Sequence, residues 1–441
     1  LSALEAAAPR SYDAPLVRTS GERLINTTLF VLICSSSFII VEPAPYEAIF
    51  IFLCVAGAIG RMRVEPTVIP LMLLLLFWNL SGAVALLELI EDIVLVKFII
   101  ISVYLSMTAV VFACLFAHDC VRRVELMRAG YIFAGVIVTI AGIIGYFKIG
   151  GPALAAKLTW AERATGTFKD PNLLGNWLIL PIVYLFQRLL VEGIKLRTAA
   201  LTSFLLFGLL LSFSRAAWGV LVFASLATMA MMWLTAQTNR FRMRIVTFTI
   251  IAAVVIAAGV AVMLSFESIR DLMMTRLKVV QSYDAGPMGR FGRHIIGFLI
   301  TFDHPAGLGA FEFARIYGEA AHNTFLKSFV TYGWLGGLSY LSMVLVTLWL
   351  AVRNMFVRTP WQQLFIPISV TYVGLIGESF IIDIDHWRHF HLLTGLVWGL
   401  SIATARYKRH RAQERAAMPE PDVLSVAPVG VGPYSPRPFG A

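Results

Sequence analysis

Apolar runs long enough to cross a bilayer follow one another almost from end to end of this 441-residue chain. A helix needs roughly 18 to 20 apolar residues to span the hydrocarbon core. Candidate spans lie at 24–41, 47–60, 67–87, 93–117, 129–147, 172–190, 198–213, 216–236, 245–265, 324–350, 361–382 and 390–405. Composition agrees, with 58% hydrophobic and 14% charged residues where a soluble domain is nearer half and a quarter. A membrane β-barrel would show segments of roughly ten residues that alternate apolar and polar, and the run PLMLLLLFW from Pro70 to Trp78 does not alternate. Helices close their backbone hydrogen bonds within themselves, as lipid demands. The chain is therefore expected to be an all-α polytopic membrane protein with about 12 transmembrane helices.

The net charge of +10 would suggest nucleic acid for a soluble protein, but here the basic residues sit mostly in short loops between apolar runs. They read as topology signals, and no nucleic-acid partner is expected. Arg61, Arg63, Arg122, Arg123, Arg128, Arg240, Arg242, Arg244, Arg353 and Arg358 fall on the same side as Arg10, Arg18 and Arg23, whereas the first two opposite loops, 42–47 and 88–92, are acidic. Excess Lys and Arg marks the cytoplasmic side, which predicts N-in and C-in termini. From residue 147 onward the outer side nevertheless carries Lys148, Lys157, Arg163, Lys169, Arg215, Arg270, Arg276, Lys278, Arg290, Arg293, Arg315, Lys327 and Arg388. Charges on the unfavoured side call for a purpose.

Three regions follow. Residues 1–22 form a polar cytoplasmic segment with no cleavable signal sequence in evidence, the first apolar run reading as an anchor. Residues 23–405 form the transmembrane domain, including a large outer loop at 266–323 between the ninth and tenth helices. Residues 406–441 form a cytoplasmic tail whose Pro, Ser and Gly content predicts disorder from about residue 417. Within the large loop, residues 268–281 have interfacial amphipathic character, Gly286, Pro287 and Gly289 break the chain, and a second helix is expected from Arg290 to Phe302. The Pro and two glycines of 304–313 predict an ordered turn. No internal repeat is visible, which weakens a two-halved transporter reading. Cys34, Cys54, Cys114 and Cys120 offer no CxxC pair, so neither a disulfide nor a zinc site is expected.

Five constellations carry chemistry. His322-Asn323 stands where the large loop enters the tenth span; a lone His is usually structural, but at an aqueous helix mouth a neutral imidazole can act as a base. Ser212-Phe213-Ser214-Arg215 joins two spans so tightly that Arg215 must lie at the outer surface, either snorkelling or binding. Arg290, Arg293 and His294 share a helical face at i, i+3 and i+4. Lys169 and Asn172 flank Asp170-Pro171 at a helix start, where they could meet a phosphate or sugar. The loop Asp383 to His391 contains Asp385, His386, Trp387, Arg388 and His389. Arg388 in its midst would repel a metal ion and the spacing matches no zinc motif, so sugar contact is the better reading. Glu378, a carboxylate inside an apolar span, predicts an Arg partner. Converging guanidinium groups favour a ligand with phosphate oxygens such as a lipid pyrophosphate, since each can donate a planar pair of hydrogen bonds. No Walker loop and no GxGxxG fingerprint is present, so no nucleotide is expected.

These residues resemble the O-antigen ligases and related O-antigen and exopolysaccharide polymerases of bacterial inner membranes. His322-Asn323, nine residues, then Gly333-Trp334-Leu335-Gly336 is similar to that family's outer-loop motif; Ser214-Arg215 resembles its Ser-Arg turn, Gly289-Arg290 its basic loop helix, and Asp303 to Gly309 its Pro, Gly-x-Gly turn. The likeness runs over roughly residues 160–400, with His294 standing where the family would have Trp. The resemblance implies an inverting, metal-independent glycosyltransferase without cofactors. Its donor would be a glycan on polyprenyl pyrophosphate, and its acceptor a hydroxyl of lipid A core, as in lipopolysaccharide biosynthesis, or of another glycan. It also implies a periplasm-facing site in the inner membrane, with His322, Arg215 and Arg290 catalytic and Arg293, Asn323, Lys169, Asn172, His294 and Arg388 as substrate contacts. Other envelope polysaccharide proteins are possible partners. A lipid-linked glycan flippase is the rival of another class, and would place its charges along the mid-membrane bundle; a structural scaffold is weaker, leaving the His and Arg placement without explanation.

Overall fold

The computed structural model describes residues 20–40, 43–60, 62–265 and 289–417. In chain order its helices are α1 (Ser20–Ser35), α2 (Pro45–Ile59), α3 (Ile69–Ala85, entered through a 3-10 turn at Pro66–Val68), α4 (Ile93–Phe116), α5 (Cys120–Tyr146), α6 (Pro152–Leu158), α7 (Pro171–Glu192), α8 (Leu196–Leu211), α9 (Arg215–Leu234), α10 (Asn239–Leu264), α11 (Arg290–Asp303), α12 (Glu312–Tyr317), α13 (Thr324–Met355), α14 (Gln362–Glu378) and α15 (Arg388–Ala417). A helix occupies each of the expected apolar runs. Strand among the described residues amounts to one antiparallel pair, Thr159–Trp160 with Arg163–Ala164.

Among the described residues six helices are long and apolar enough to cross a membrane: Pro66–Ala85, Ile93–Phe116, Cys120–Tyr146, Pro171–Glu192, Arg215–Leu234 and Thr324–Met355. Pro45–Ile59 and Leu196–Leu211 are apolar but shorter. Leu76, Ile100 and Leu226 are each more than half exposed on these helices. Such apolar surface fits a membrane-embedded, all-α protein and would be a liability in water.

With lipid outside, helices associate through close backbone approach and polar pairs. Gly395 and Gly399 of α15 press on α4, where added Cβ atoms would meet the carbonyl oxygens of Ala109 at 2.6 Å and Ala113 at 2.7 Å. On its other side, Trp398 Nε1 donates to Thr347 Oγ1 (2.9 Å), Asn354 Nδ2 to Ser401 Oγ (2.8 Å) and Trp361 Nε1 to Thr404 Oγ1 (3.1 Å). Residues 405–417 belong to a separate small unit, in which His410 and Arg411 lie 3.4 and 3.6 Å from Glu414.

The helix that matters most for the site is broken. Gly333 interrupts α13 with φ 68° and ψ −173°, and the turn at 304–309 docks onto the break. Trp334 N donates to Pro305 O (2.9 Å), Leu308 N to Val330 O (2.7 Å) and Ser81 Oγ to Tyr332 O (2.5 Å). Groups freed by the kink are thus taken up by neighbours, as an apolar setting requires. The Pro and two glycines do form an ordered turn, with Gly307 and Gly309 both at φ 96°.

Residues 290–303 form the expected second loop helix. Its exposed face carries Phe291, Ile295, Phe298, Leu299 and Phe302, while Ile296 and Ile300 pack with Phe313, Ala321, Leu326 and Val330. The expected interfacial helix at 268–281, with Arg270, Arg276 and Lys278, and the break at Gly286-Pro287 lie outside the described residues. So do 1–19 and 418–441.

Candidate functional site

Asn323 is the N-cap of α13, its Oδ1 accepting from Leu326 N (3.0 Å), which satisfies one of the orphan donors of the first turn. The residue before it, His322, has φ 52°. His tolerates this left-handed conformation better than most residues, at some cost in backbone strain. The imidazole is half-buried, and its Nε2 lies 3.3 Å from Oε1 of Glu319. Oε2 of the same carboxylate pairs at 2.6 Å with Nη2 of Arg293, which reaches across from α11 and is buried. His294, next to it, contacts Ala321 O through Nε2 (2.8 Å). The structure therefore brings His322, Arg293, His294 and Asn323 together, and adds Glu319. Arg290 is the first residue of α11; its side chain lies outside what is described.

Around the mouth of α13 the loop after α14 is tied down by Thr324. Its N donates to Ser379 O (2.8 Å), its Oγ1 donates to Ile382 O (2.8 Å) and accepts from Ile384 N (3.0 Å). One turn along, Lys327 Nζ donates to Asp385 Oδ1 (2.9 Å) and lies 4.0 Å from Asp383 Oδ2, while His386 Nδ1 lies 2.9 Å from Asp385 Oδ2 and its ring stacks on Phe98. Burial works against the Asp385 charge, but Lys327 and His386 outweigh it and hold that carboxyl below the usual carboxylate range. Asp383 moves the other way, because burial there outweighs Lys327 and His322.

On the neighbouring helices, Arg163 holds two chain segments at once. Its Nε donates to Ser212 O and its Nη2 to Asn172 Oδ1, both at 2.8 Å. Ser214 caps α9 by accepting from Ala217 N (3.3 Å), so Arg215 opens that helix in a half-buried position. Gly175 admits the turn: a Cβ there would meet Ser212 Oγ at 2.9 Å. Asn176 Nδ2 then donates to Asn172 O (3.0 Å) and to Glu378 Oε1 (2.8 Å). Glu378 adjoins Ser379, which anchors Thr324. A continuous chain of contacts thus connects the Arg215 turn to the His322 mouth. Beside the turn, Ala216, Gly219, Val220, Phe223, Gly374 and Gly377 line an open apolar groove of about 450 Å³ with Glu378 among its walls.

Several expectations change. Glu378 takes Asn176 as its partner rather than an Arg, since Asn172 and Asn176 put amide groups on the facing side of α7. Arg388 ion-pairs with Glu47 and lies over the ring of Tyr46 at 5.1 Å. His389 and His391 are buried, whereas Trp387 and its neighbours His386 and Arg388 are half-buried. Lys169 is exposed ahead of the Asp170 cap of α7. Among the described residues no group of three His, Cys, Asp or Glu is placed to hold a metal ion. Glu319 was not among the expected residues, and Arg163 was expected only as one of the outer-side cations. An acidic residue three before a candidate base was the available signal for the first; nothing local marks the second.

No protein-family model matches the chain, and no curated protein matches it significantly.

Proposed function

We propose that this chain is a glycosyltransferase of the O-antigen ligase type. It would transfer a glycan from polyprenyl pyrophosphate to an acceptor hydroxyl, lipid A core in the ligase form, on the periplasmic side of a bacterial inner membrane. In this reading about twelve helices cross the bilayer with both termini in the cytoplasm, and the His322 mouth faces the periplasm.

The observation that carries the reading is the contact chain from the turn before α9, with Arg215, through Arg163, Asn172, Asn176 and Glu378 to the capped start of α13, with His322. A cation and a base at the starts of two helices that both pack on α14 suit a reaction with a pyrophosphate leaving group. Arg215 and Arg290 would neutralise the departing charge, as preorganised donors do in most transfer enzymes. His322 would take the acceptor proton as the hydroxyl attacks the anomeric carbon from the far side, inverting it. The apolar groove beside Ala216 suits a prenyl chain.

A polymerase of the same resemblance, joining one lipid-linked repeat to another, shares this chemistry and differs only in acceptor. The test is reconstitution with a purified polyprenyl-pyrophosphate glycan and either lipid A core or excess donor. Extension of lipid A core supports the ligase, and extension of the donor supports the polymerase. Donor crossing the bilayer with neither acceptor extended would replace both with a flippase.

A further inference from the structure

The Glu319 carboxylate stands between two partners that the fold positions independently. Arg293 on α11 is 6% exposed and meets Oε2 at 2.6 Å; His322 meets Oε1 at 3.3 Å. Glu319 is itself 54% exposed, and an exposed Glu left alone would sample several rotamers. A buried guanidinium offers a fixed fork of donors to hold it. On the other side the imidazole is set by the left-handed backbone of His322 and by the helix that begins at Asn323.

In neutral imidazole one nitrogen carries the proton and the other the lone pair, and the hydrogen bond made by one decides the role of the other. A carboxylate at Nε2 favours the proton there. We propose that Glu319 is a positioning residue for His322: it holds Nε2 as the N–H and leaves Nδ1 as the basic nitrogen. This rests on the reading of His322 as the base. In the transfer step the acceptor oxygen forms its bond to the anomeric carbon. The bond from that carbon to the pyrophosphate oxygen breaks, its electron pair leaving on the phosphate, and the acceptor proton passes to Nδ1. The resulting imidazolium keeps its Nε2–H toward Glu319, whose charge stabilises it.

Other charged groups near His322 are otherwise engaged. Arg293 is held by Glu319, Lys327 is shared by Asp385 and Asp383, and Asp383 interacts with His322 through charge rather than a hydrogen bond. Among the described residues Glu319 is the carboxylate in hydrogen-bond reach of the ring.

The full chain in proteoliposomes, with polyprenyl-pyrophosphate glycan as donor, tests this. E319Q keeps size and loses charge. We expect kcat to fall about tenfold, KM for donor to stay within about twofold, and the acid limb of the kcat–pH profile to move lower. E319D, which keeps the charge, should retain the wild-type limb. A wild-type rate and limb in E319Q overturn the proposal; so does a lower rate with an unmoved limb, which marks a structural role only. If wild-type protein transfers no glycan, the functional reading fails by itself. The pairing is then read from the pH dependence of diethylpyrocarbonate modification at His322, located by mass spectrometry. A midpoint lower in E319Q supports it, and an unchanged midpoint overturns it.

Discussion

The Cβ that Gly333 lacks would stand 2.5 Å from the carbonyl oxygen of Pro305. It would also meet Ala306 C at 2.5 Å, and φ 68° is unfavourable for any L side chain. Gly333→Ala should therefore destabilise the protein by about 3 kcal/mol, from backbone strain and overpacking together. Thermal unfolding in detergent checks this. Gly219→Ala is the control: nothing lies within 4 Å of the added methyl, and a helical Ala should be neutral or slightly stabilising.

If His322 is the base, His322→Ala should lower glycan transfer by about 10²- to 10⁴-fold while membrane insertion and melting temperature hold. Arg215→Ala and Arg290→Ala should each lower it by about 10²-fold or more. Arg388→Ala, whose partner is Glu47, should affect stability more than rate. Transfer assays beside melting curves separate the two outcomes, and full activity in His322→Ala would end the assignment.

Arg163 joins Ser212 O to Asn172 Oδ1 with two nitrogens of one guanidinium, a geometry that Lys cannot copy. Arg163→Lys should loosen the turn that carries Arg215. The expected result is a several-fold higher KM for the lipid-linked donor, measured in steady-state kinetics with purified protein.

Lys327 is the cation between Asp383 and Asp385, and Asp385 is 2% exposed. Lys327→Met leaves buried carboxylates without their counter-charge and should cost about 3 kcal/mol. Asp385→Asn alone should cost less than Asp385→Ala, because an amide can still accept from Lys327 and neighbouring donors. Both comparisons are read from unfolding in detergent.

The same pair predicts an acid response. The Asp385 carboxyl is held below the usual range in the folded state, so its contribution is present above the unfolded pKa and is lost as pH falls through the folded one. Asp383 is raised, so its contribution runs oppositely and grows as pH falls through its folded pKa. The 379–387 loop should thus stay docked through the ordinary carboxylate range and release only in stronger acid. Fluorescence of Trp387 against pH follows it; release at ordinary carboxylate pH values would contradict the assignment.

How far the sequence alone reached depends on the distance over which each feature is specified. Helix starts at Asp170-Pro171, Ser214-Arg215 and His322-Asn323 are written in adjacent residues, because caps act within one turn, and these were legible. Partners written across the fold were not. Glu378 faces Asn176, 202 residues earlier, and Arg388 meets Glu47, 341 residues away; no periodicity encodes such pairings. The pairing of Glu319 with Arg293 depends on how α11 lies against α13, which the kink at Gly333 and the docked turn decide. The motif glycines could be matched by spacing, yet their reason, a backbone resting on a backbone, is visible only in three dimensions.

The break in α13 has a further consequence. Past Gly333 the helix runs from Trp334 to Met355, a rise of about 33 Å at about 1.5 Å per residue, which matches bilayer hydrocarbon about 30 Å thick. The turns from Thr324 to Tyr332 come before the break and are not needed to cross it. On the proposed reading they would leave the His322 end at the membrane surface, where a sugar hydroxyl could arrive from water while the lipid that carries the donor stays in the plane of the membrane.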